Sequence, residues 1–126
     1  SAFNYAECST AERLKVGCVI VKDHRIISIG YNGMPSGWTN VCEDKDFVTK
    51  PEVLHAEENA ITKLARSNES GDGATAFITH VPCLSCAKLL YSSGIIEVWY
   101  THPYKNTEGL DFLNDCNIKV NAYADN

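Results

Sequence analysis

Two short motifs, His55-Ala56-Glu57 and Pro82-Cys83-Leu84-Ser85-Cys86, constrain this chain more than any other feature of it. Each stands where irregular sequence gives way to a helical pattern. A fold that uses both must therefore bring two helix starts to one place. From His55 onward Ala56, Ala60, Ile61, Leu64 and Ala65 recur on one helical face, and Gly71-Asp72-Gly73 closes that segment. Cys83 to Ser93 reads as a second helix ending at Gly94, the residue type that takes the left-handed cap position. Glu108 to Asn114 is expected to form a short third helix.

The strands lie between and before these helices. Val16 to Val21 is apolar and β-branched, Lys22-Asp23-His24-Arg25 reads as a turn, and Arg25 to Gly30 returns as an antiparallel partner. Gly, Pro and Asn between Tyr31 and Asn40 signal a loop that polar Glu43 to Lys50 extends. A connection of that length in a small domain is more often functional than idle. Ala74 to Thr79, Ile95 to Thr101 and Ile118 to Tyr123 supply three further strands, alternating with the helices. Such alternation implies parallel pairing in the later part of the chain. The result is a mixed sheet with helices packed on it, in one domain spanning 1–126.

Composition narrows the choice of function. A formal net charge of −5 argues against a broad basic surface that tracks a nucleic-acid polymer. It leaves room for a single phosphate held by a few local donors. No stretch approaches the roughly 20 apolar residues that a membrane helix needs. Ser1-Ala2-Phe3-Asn4-Tyr5 lacks the basic and apolar regions of a secretory signal. Six cysteines with only one close pair, at 83 and 86, fit metal binding in a reducing compartment better than a disulfide scaffold. The expected location is cytoplasmic.

The motifs carry the chemistry. One imidazole (His55) and two sulfurs (Cys83 and Cys86) give three ligands for Zn2+ and leave a fourth tetrahedral position for water, the catalytic rather than the structural pattern. Cys-x-x-Cys at a helix start lets one turn offer both sulfurs, and the helix N-terminus favours their thiolate forms. Glu57, two residues past the histidine, can reach that water without binding the ion. It can take a proton as general base and return it as general acid. A lone Cys-x-x-Cys is weak evidence, and a histidine beside a glutamate is usually a satisfied polar pair. Together, in this order and with the proline, they form the His-x-Glu…Pro-Cys-x-x-Cys signature known for zinc-dependent nucleobase deaminases.

Beyond the signature, the chain resembles the deoxycytidylate deaminases of the cytidine-deaminase-like superfamily from about Ser9 to its C-terminus. Lys15 to Val21, Gly30-Tyr31-Asn32-Gly33-Met34-Pro35-Ser36-Gly37, His55 to Ile61 and Pro82 to Lys88 carry the resemblance. The zinc motifs belong to the whole superfamily, whereas the Gly-Tyr-Asn-Gly-x-Pro loop narrows the choice. The resemblance implies an α/β, three-layer cytidine-deaminase-like fold with a mixed five-stranded sheet and helices on both faces. It also implies hydrolysis of dCMP to dUMP with release of ammonia. Asn32 would bind the sugar, the Ala56 backbone the base carbonyl oxygen, and Tyr104 would lie near the 5′-phosphate, with Arg13, Lys15 and Lys105 as weaker phosphate candidates.

The same resemblance implies a homohexamer activated by dCTP and inhibited by dTTP. Gly33, in the loop, and Arg66 would take part in that allosteric response, and Mg2+ would accompany a triphosphate effector. Some relatives hold a second, structural zinc before the His-Ala-Glu motif. Val41 to Leu54 offers only Cys42 for it and no histidine, so one zinc is expected here. His80 and His102 stand near strand ends, close in sequence to the motif-bearing elements, where either could touch substrate, although a satisfied structural histidine is the commoner outcome. The rival readings are a free cytosine or other nucleobase deaminase, and a non-catalytic zinc-stapled binding module in which Glu57 would have no purpose.

Overall fold

A computed structural model describes residues 16–33, 54–103 and 106–123. In chain order these form β1 (Gly17–Lys22), β2 (Arg25–Tyr31), α1 (Ala56–Ala65), β3 (Thr75–His80), α2 (Leu84–Ser92), β4 (Glu97–His102), α3 (Glu108–Asp115) and β5 (Lys119–Ala122). One five-stranded sheet runs β2-β1-β3-β4-β5. β1 pairs antiparallel with both β2 and β3, whereas β3, β4 and β5 are mutually parallel. The mixed sheet expected from the alternation of elements is thus present, with β1 as the strand at which direction reverses.

Strand alternation divides the sheet residues cleanly. Cys18, Ile20, Ala76, Ile78 and Val98 point to one face, where Ala60, Leu64, Ala87, Leu90 and Leu113 of the three helices complete a single buried core. The other face bears Phe77, Trp99 and Tyr123. Phe77 stacks on Trp99 at 6.4 Å between centroids, and Tyr123 meets both edge-on. Helical cover of that second face concerns residues outside the described ones.

Close backbone approach fixes α1 on the sheet. A Cβ at Gly30 would collide with the Ala56 carbonyl oxygen and the Ala60 nitrogen, so only glycine lets the helix lie this close to β2. Ser28 Oγ donates to the Ala60 carbonyl at 2.6 Å and Asn59 Nδ2 to the Tyr31 carbonyl at 2.6 Å, tying the same helix to the same strand. The turn at Asp23 and His24 takes positive φ at both residues, 51° and 64°, the conformation a two-residue hairpin needs.

Most element ends shift by a residue or two from the sequence reading, and two of the differences have a clear physical reason. Ile95 and Ile96 precede β4 instead of opening it. The Ile95 N–H bonds to the Leu90 carbonyl and Gly94 takes φ 95°, so Ile95 belongs to the C-terminal cap of α2, while the Ile96 N–H bonds to the Ala74 carbonyl just ahead of β3. Ala65 is exposed rather than turned inward, because α1 ends there. Among the described residues no helix is long and apolar enough to cross a membrane.

Candidate metal and active site

The chain directions place both motifs at one end of the sheet. β2 ends there at Tyr31, β3 ends there at His80, and α1 and α2 both begin there. His55 is the N-cap of α1 and Cys83 the N-cap of α2, each with extended backbone just before its helix. Glu58 Oε1 accepts the His55 N–H at 2.7 Å, half of a capping box that steadies the histidine backbone. Spacing in the sequence carries this signal, since the acid stands three residues past the cap.

His55 Nδ1, Cys83 Sγ and Cys86 Sγ lie within 4.8 Å of one another. Nδ1 is 3.3 Å from Cys86 Sγ and 3.6 Å from Cys83 Sγ. A nitrogen and two sulfurs so close, at two helix N-termini, fit a tetrahedral Zn2+ with one place left over. The protons in this cluster are unevenly held. Hydrogen bonds from Cys86 and His55 bring Cys83 down to about 4, and the bond to Cys83 raises His55 to about 9. Cys86 is pushed strongly upward, first by its bond to Cys83 and then by burial. One thiolate therefore shares its site with an imidazolium and a thiol. Metal binding must displace protons from both of the latter.

Glu57 lies beneath this cluster, 5% exposed. Burial raises its carboxyl to about 7, against a smaller opposing pull from its own backbone N–H and from His55. A carboxyl poised near neutrality can both take and give a proton at physiological pH. That is the property the sequence motif requires of it.

The neighbouring backbone brings in Asn32. Gly33 and Leu54 exchange two hydrogen bonds, at 3.0 and 2.7 Å, forming an isolated bridge. This bridge sets Asn32, one residue before Gly33, beside His55, one residue after Leu54. Asn32 Oδ1 accepts the Val16 N–H at 2.9 Å, which orients the amide. Ala56 is fully buried in the first turn of α1, where a backbone N–H has no acceptor within the helix. Arg66 instead caps the distant end of α1 and is exposed. Tyr104, Lys105, Arg13, Lys15 and Cys42 lie outside the described residues.

Residues that the sequence does not flag hold the site together. A Cβ at Gly109 would collide with the Pro82 carbonyl oxygen, so the start of α3 is pressed against the turn that carries Cys83. Buried Thr79 accepts the Gly17 N–H at 3.2 Å and lies 2.8 Å from His80 Nδ1. Glycine in a helix start is ambiguous in sequence, and a single strand threonine gives no warning of two partners.

Residues 1–102 match the family of the cytidine and deoxycytidylate deaminase zinc-binding region. The chain belongs to this family. It is 39% identical over 101 residues to ComE operon protein 2 of Bacillus subtilis, which covers 77% of this chain and 53% of that protein. It is 35% identical over 129 residues to the deoxycytidylate deaminase of Saccharomyces cerevisiae, covering 94% and 41% respectively. The chain thus spans about half, or less, of the length of these relatives. Among solved structures, the dCMP deaminase of cyanophage S-TIM5 in complex with dCMP and dUMP superposes with a TM-score of 0.94 at 42% identity. That match covers 97% of this chain and 90% of the phage protein. The cytidine-deaminase-like fold expected from the resemblance is therefore established.

Proposed function

We propose that the chain deaminates deoxycytidylate to deoxyuridylate, with His55, Cys83 and Cys86 holding one zinc ion and Glu57 moving the protons. The observation that carries this reading is the convergence of one imidazole and two sulfurs within 4.8 Å above a buried carboxyl. A purely structural zinc site would want a fourth protein ligand and no such acid. Likeness to a phage enzyme solved with dCMP and dUMP supplies the substrate class.

When bound, zinc supplies the Lewis acidity that brings the pKa of water toward about 7. The rest falls to this chain's own groups. Glu57 accepts a proton from water as its oxygen bonds to C4 of the base. The same carboxyl delivers that proton to the ring nitrogen, then takes the proton of the new C4 hydroxyl and gives it to the exocyclic amine, so that the C4–N bond breaks, the C4 carbonyl forms and ammonia leaves. Burial keeps the carboxyl from losing its proton to bulk solvent between these steps. Ala56, through its first-turn N–H, holds the base carbonyl oxygen, and the Asn32 amide holds the sugar. Tyr104 would stand at the phosphate. Regulation by dCTP and dTTP in a homohexamer, with Gly33 and Arg66 involved and Mg2+ on the effector, belongs to the same proposal.

Ammonia release from the zinc-loaded protein tests this directly. It is offered deoxycytidylate, deoxycytidine, cytosine and guanine separately, with Glu57→Gln as control. Turnover of deoxycytidylate that the variant lacks supports the proposal. Turnover of cytosine in its place would keep the mechanism and overturn the substrate. Full zinc occupancy with no turnover, even after dCTP is added, would favour the binding-module reading.

A further inference from the structure

Asn59 sits on α1 one turn past His55 and holds two parts of the molecule at once. Its backbone N–H donates to the His55 carbonyl at 2.9 Å, and its side-chain Nδ2 donates to the Tyr31 carbonyl at 2.6 Å. A carbonyl can only accept, so the amide must turn its nitrogen toward Tyr31. That carbonyl opens the peptide unit leading into Asn32, and the N–H of the same unit donates to the Val16 carbonyl at 3.2 Å. Both polar groups of one peptide are thus held, one from α1 and one from the segment entering β1.

We infer that Asn59 is a positioning residue: by holding the Tyr31–Asn32 peptide from the helix that carries His55 and Glu57, it sets how far the sugar-binding amide stands from the reacting base. This rests on the reading that Asn32 holds the sugar of deoxycytidylate. Three observations support it. The first is the lack of slack between helix and strand. One residue before the held carbonyl, a Cβ at Gly30 would strike the Ala56 carbonyl oxygen and the Ala60 nitrogen, so backbone already meets backbone there.

The second is the place of β2 at the edge of the sheet. Its Ile29 and Tyr31 carbonyls, two residues apart, accept from Lys63 Nζ and Asn59 Nδ2 of α1, which take the place of a further strand. The third is the way Asn32 itself is oriented. Its Oδ1 accepts the Val16 N–H at 2.9 Å, so the side-chain amide is referred to the same neighbour as the peptide that Asn59 holds. Moving that peptide carries the amide with it, and a shift of about 1 Å is enough to spoil the alignment of a reacting group.

The test is a double-mutant cycle in kcat and KM for deoxycytidylate, using zinc-loaded wild type, Asn59→Ala, Asn32→Ala and the double variant. Asn59→Ala is expected to lower kcat/KM about tenfold, mostly through KM, because sugar binding is shared by ground and transition states. In the Asn32→Ala background the same change should cost less than about twofold, since the contact it positions is already gone. Asn59→Asp keeps the shape but sets a carboxylate against the Tyr31 carbonyl, so its loss should exceed that of alanine, and it carries the cycle if Asn59→Ala folds poorly. Ser28→Ala removes a different bond between the same helix and strand, and should leave KM at the wild-type value. Equal losses from Asn59→Ala with and without Asn32, or a matching loss in Ser28→Ala, would make Asn59 a structural tie alone and overturn the inference. An active wild type whose KM ignores Asn32→Ala would remove the sugar contact and the inference with it. Wild type that ignores deoxycytidylate would sink the underlying reading as well, a result distinct from one in which Asn32 matters and Asn59 does not.

Discussion

The two ends of this sheet are built from the same strands and differ in almost everything else. At one end stand the hairpin turn, the strand starts of β3 to β5, and exposed ion pairs such as Arg25 with Glu69 at 3.3 Å and Lys119 with Glu97 at 3.4 Å. At the other, two helix starts, a buried acid, a bridged asparagine and two neighbouring histidines stand along the same edge. The first end has polar groups that water satisfies. The second has polar groups that satisfy each other, or wait for a ligand. The lesson is that strand direction concentrates unpaired helix N–H groups and strand-end side chains on a single edge, and chemistry collects where those coincide.

The largest effect should come from the carboxyl at the second end. Glu57→Gln keeps the shape and removes the proton carrier, so kcat for ammonia release should fall roughly 10²- to 10⁴-fold. Circular dichroism and zinc content should stay at wild-type levels. A variant that keeps most of its activity would end the role of this residue and weaken the contrast between the two ends.

Next comes the backbone contact beneath the site. Gly109→Ala drives a methyl group into the Pro82 carbonyl, and backbone cannot step aside as a side chain can. The expected destabilisation is about 1–3 kcal/mol, read from urea unfolding, with zinc affinity reduced because Cys83 must shift. Gly73→Ala is the matching change at the opposite end. There the added methyl meets nothing within 4 Å, although φ of 78° strains it, so stability falls by about 1–2 kcal/mol while zinc affinity holds. Equal loss of zinc affinity in both would show that Gly109 acts only through global stability.

Much of this was legible in the sequence, and the legible parts share a physical cause. The cluster of His55, Cys83 and Cys86, and the acid beside it, could be read because metal coordination demands fixed residue types at fixed spacings. Cys18 could be placed in a strand interior because an apolar β-branched run surrounds it, and it is fully buried. The β1 to β3 pairing was less evident, since antiparallel and parallel neighbours present the same alternation. The His80 and His102 pair was hidden for another reason: it depends on the register of two strands separated by a whole helix. The same is true of Gly109 against Pro82. Local sequence states what a residue can do, and long-range register decides what it meets.

The histidine pair also gives a pH signature. Burial first, and then the nearby His102, hold the His80 imidazole below its usual value of 6.5. The unfolded chain then takes up this proton at a higher pH than the folded one. The contribution to stability is complete above about 6.5 and declines as pH falls through that value toward the folded one. His102→Gln removes the second cause and should lessen this acid-side decline, seen as a smaller drop in melting temperature between pH 7 and pH 5.5. An unchanged drop would assign the decline to other groups.

The smallest effect belongs to the solvated end, and it makes the comparison fair. Arg25 and Glu69 form the kind of exposed pair in which water screens most of the attraction and ordering two long side chains offsets much of the rest. Arg25→Ala should therefore cost no more than about 0.2–1 kcal/mol in urea unfolding, and less at high salt, with kcat and KM for deoxycytidylate unchanged. A loss of turnover in this variant would mean that the hairpin end communicates with the site through β1 and β2. The division of the molecule into a supporting end and a reacting end would then have to be abandoned, because the strand that links them would be transmitting more than position.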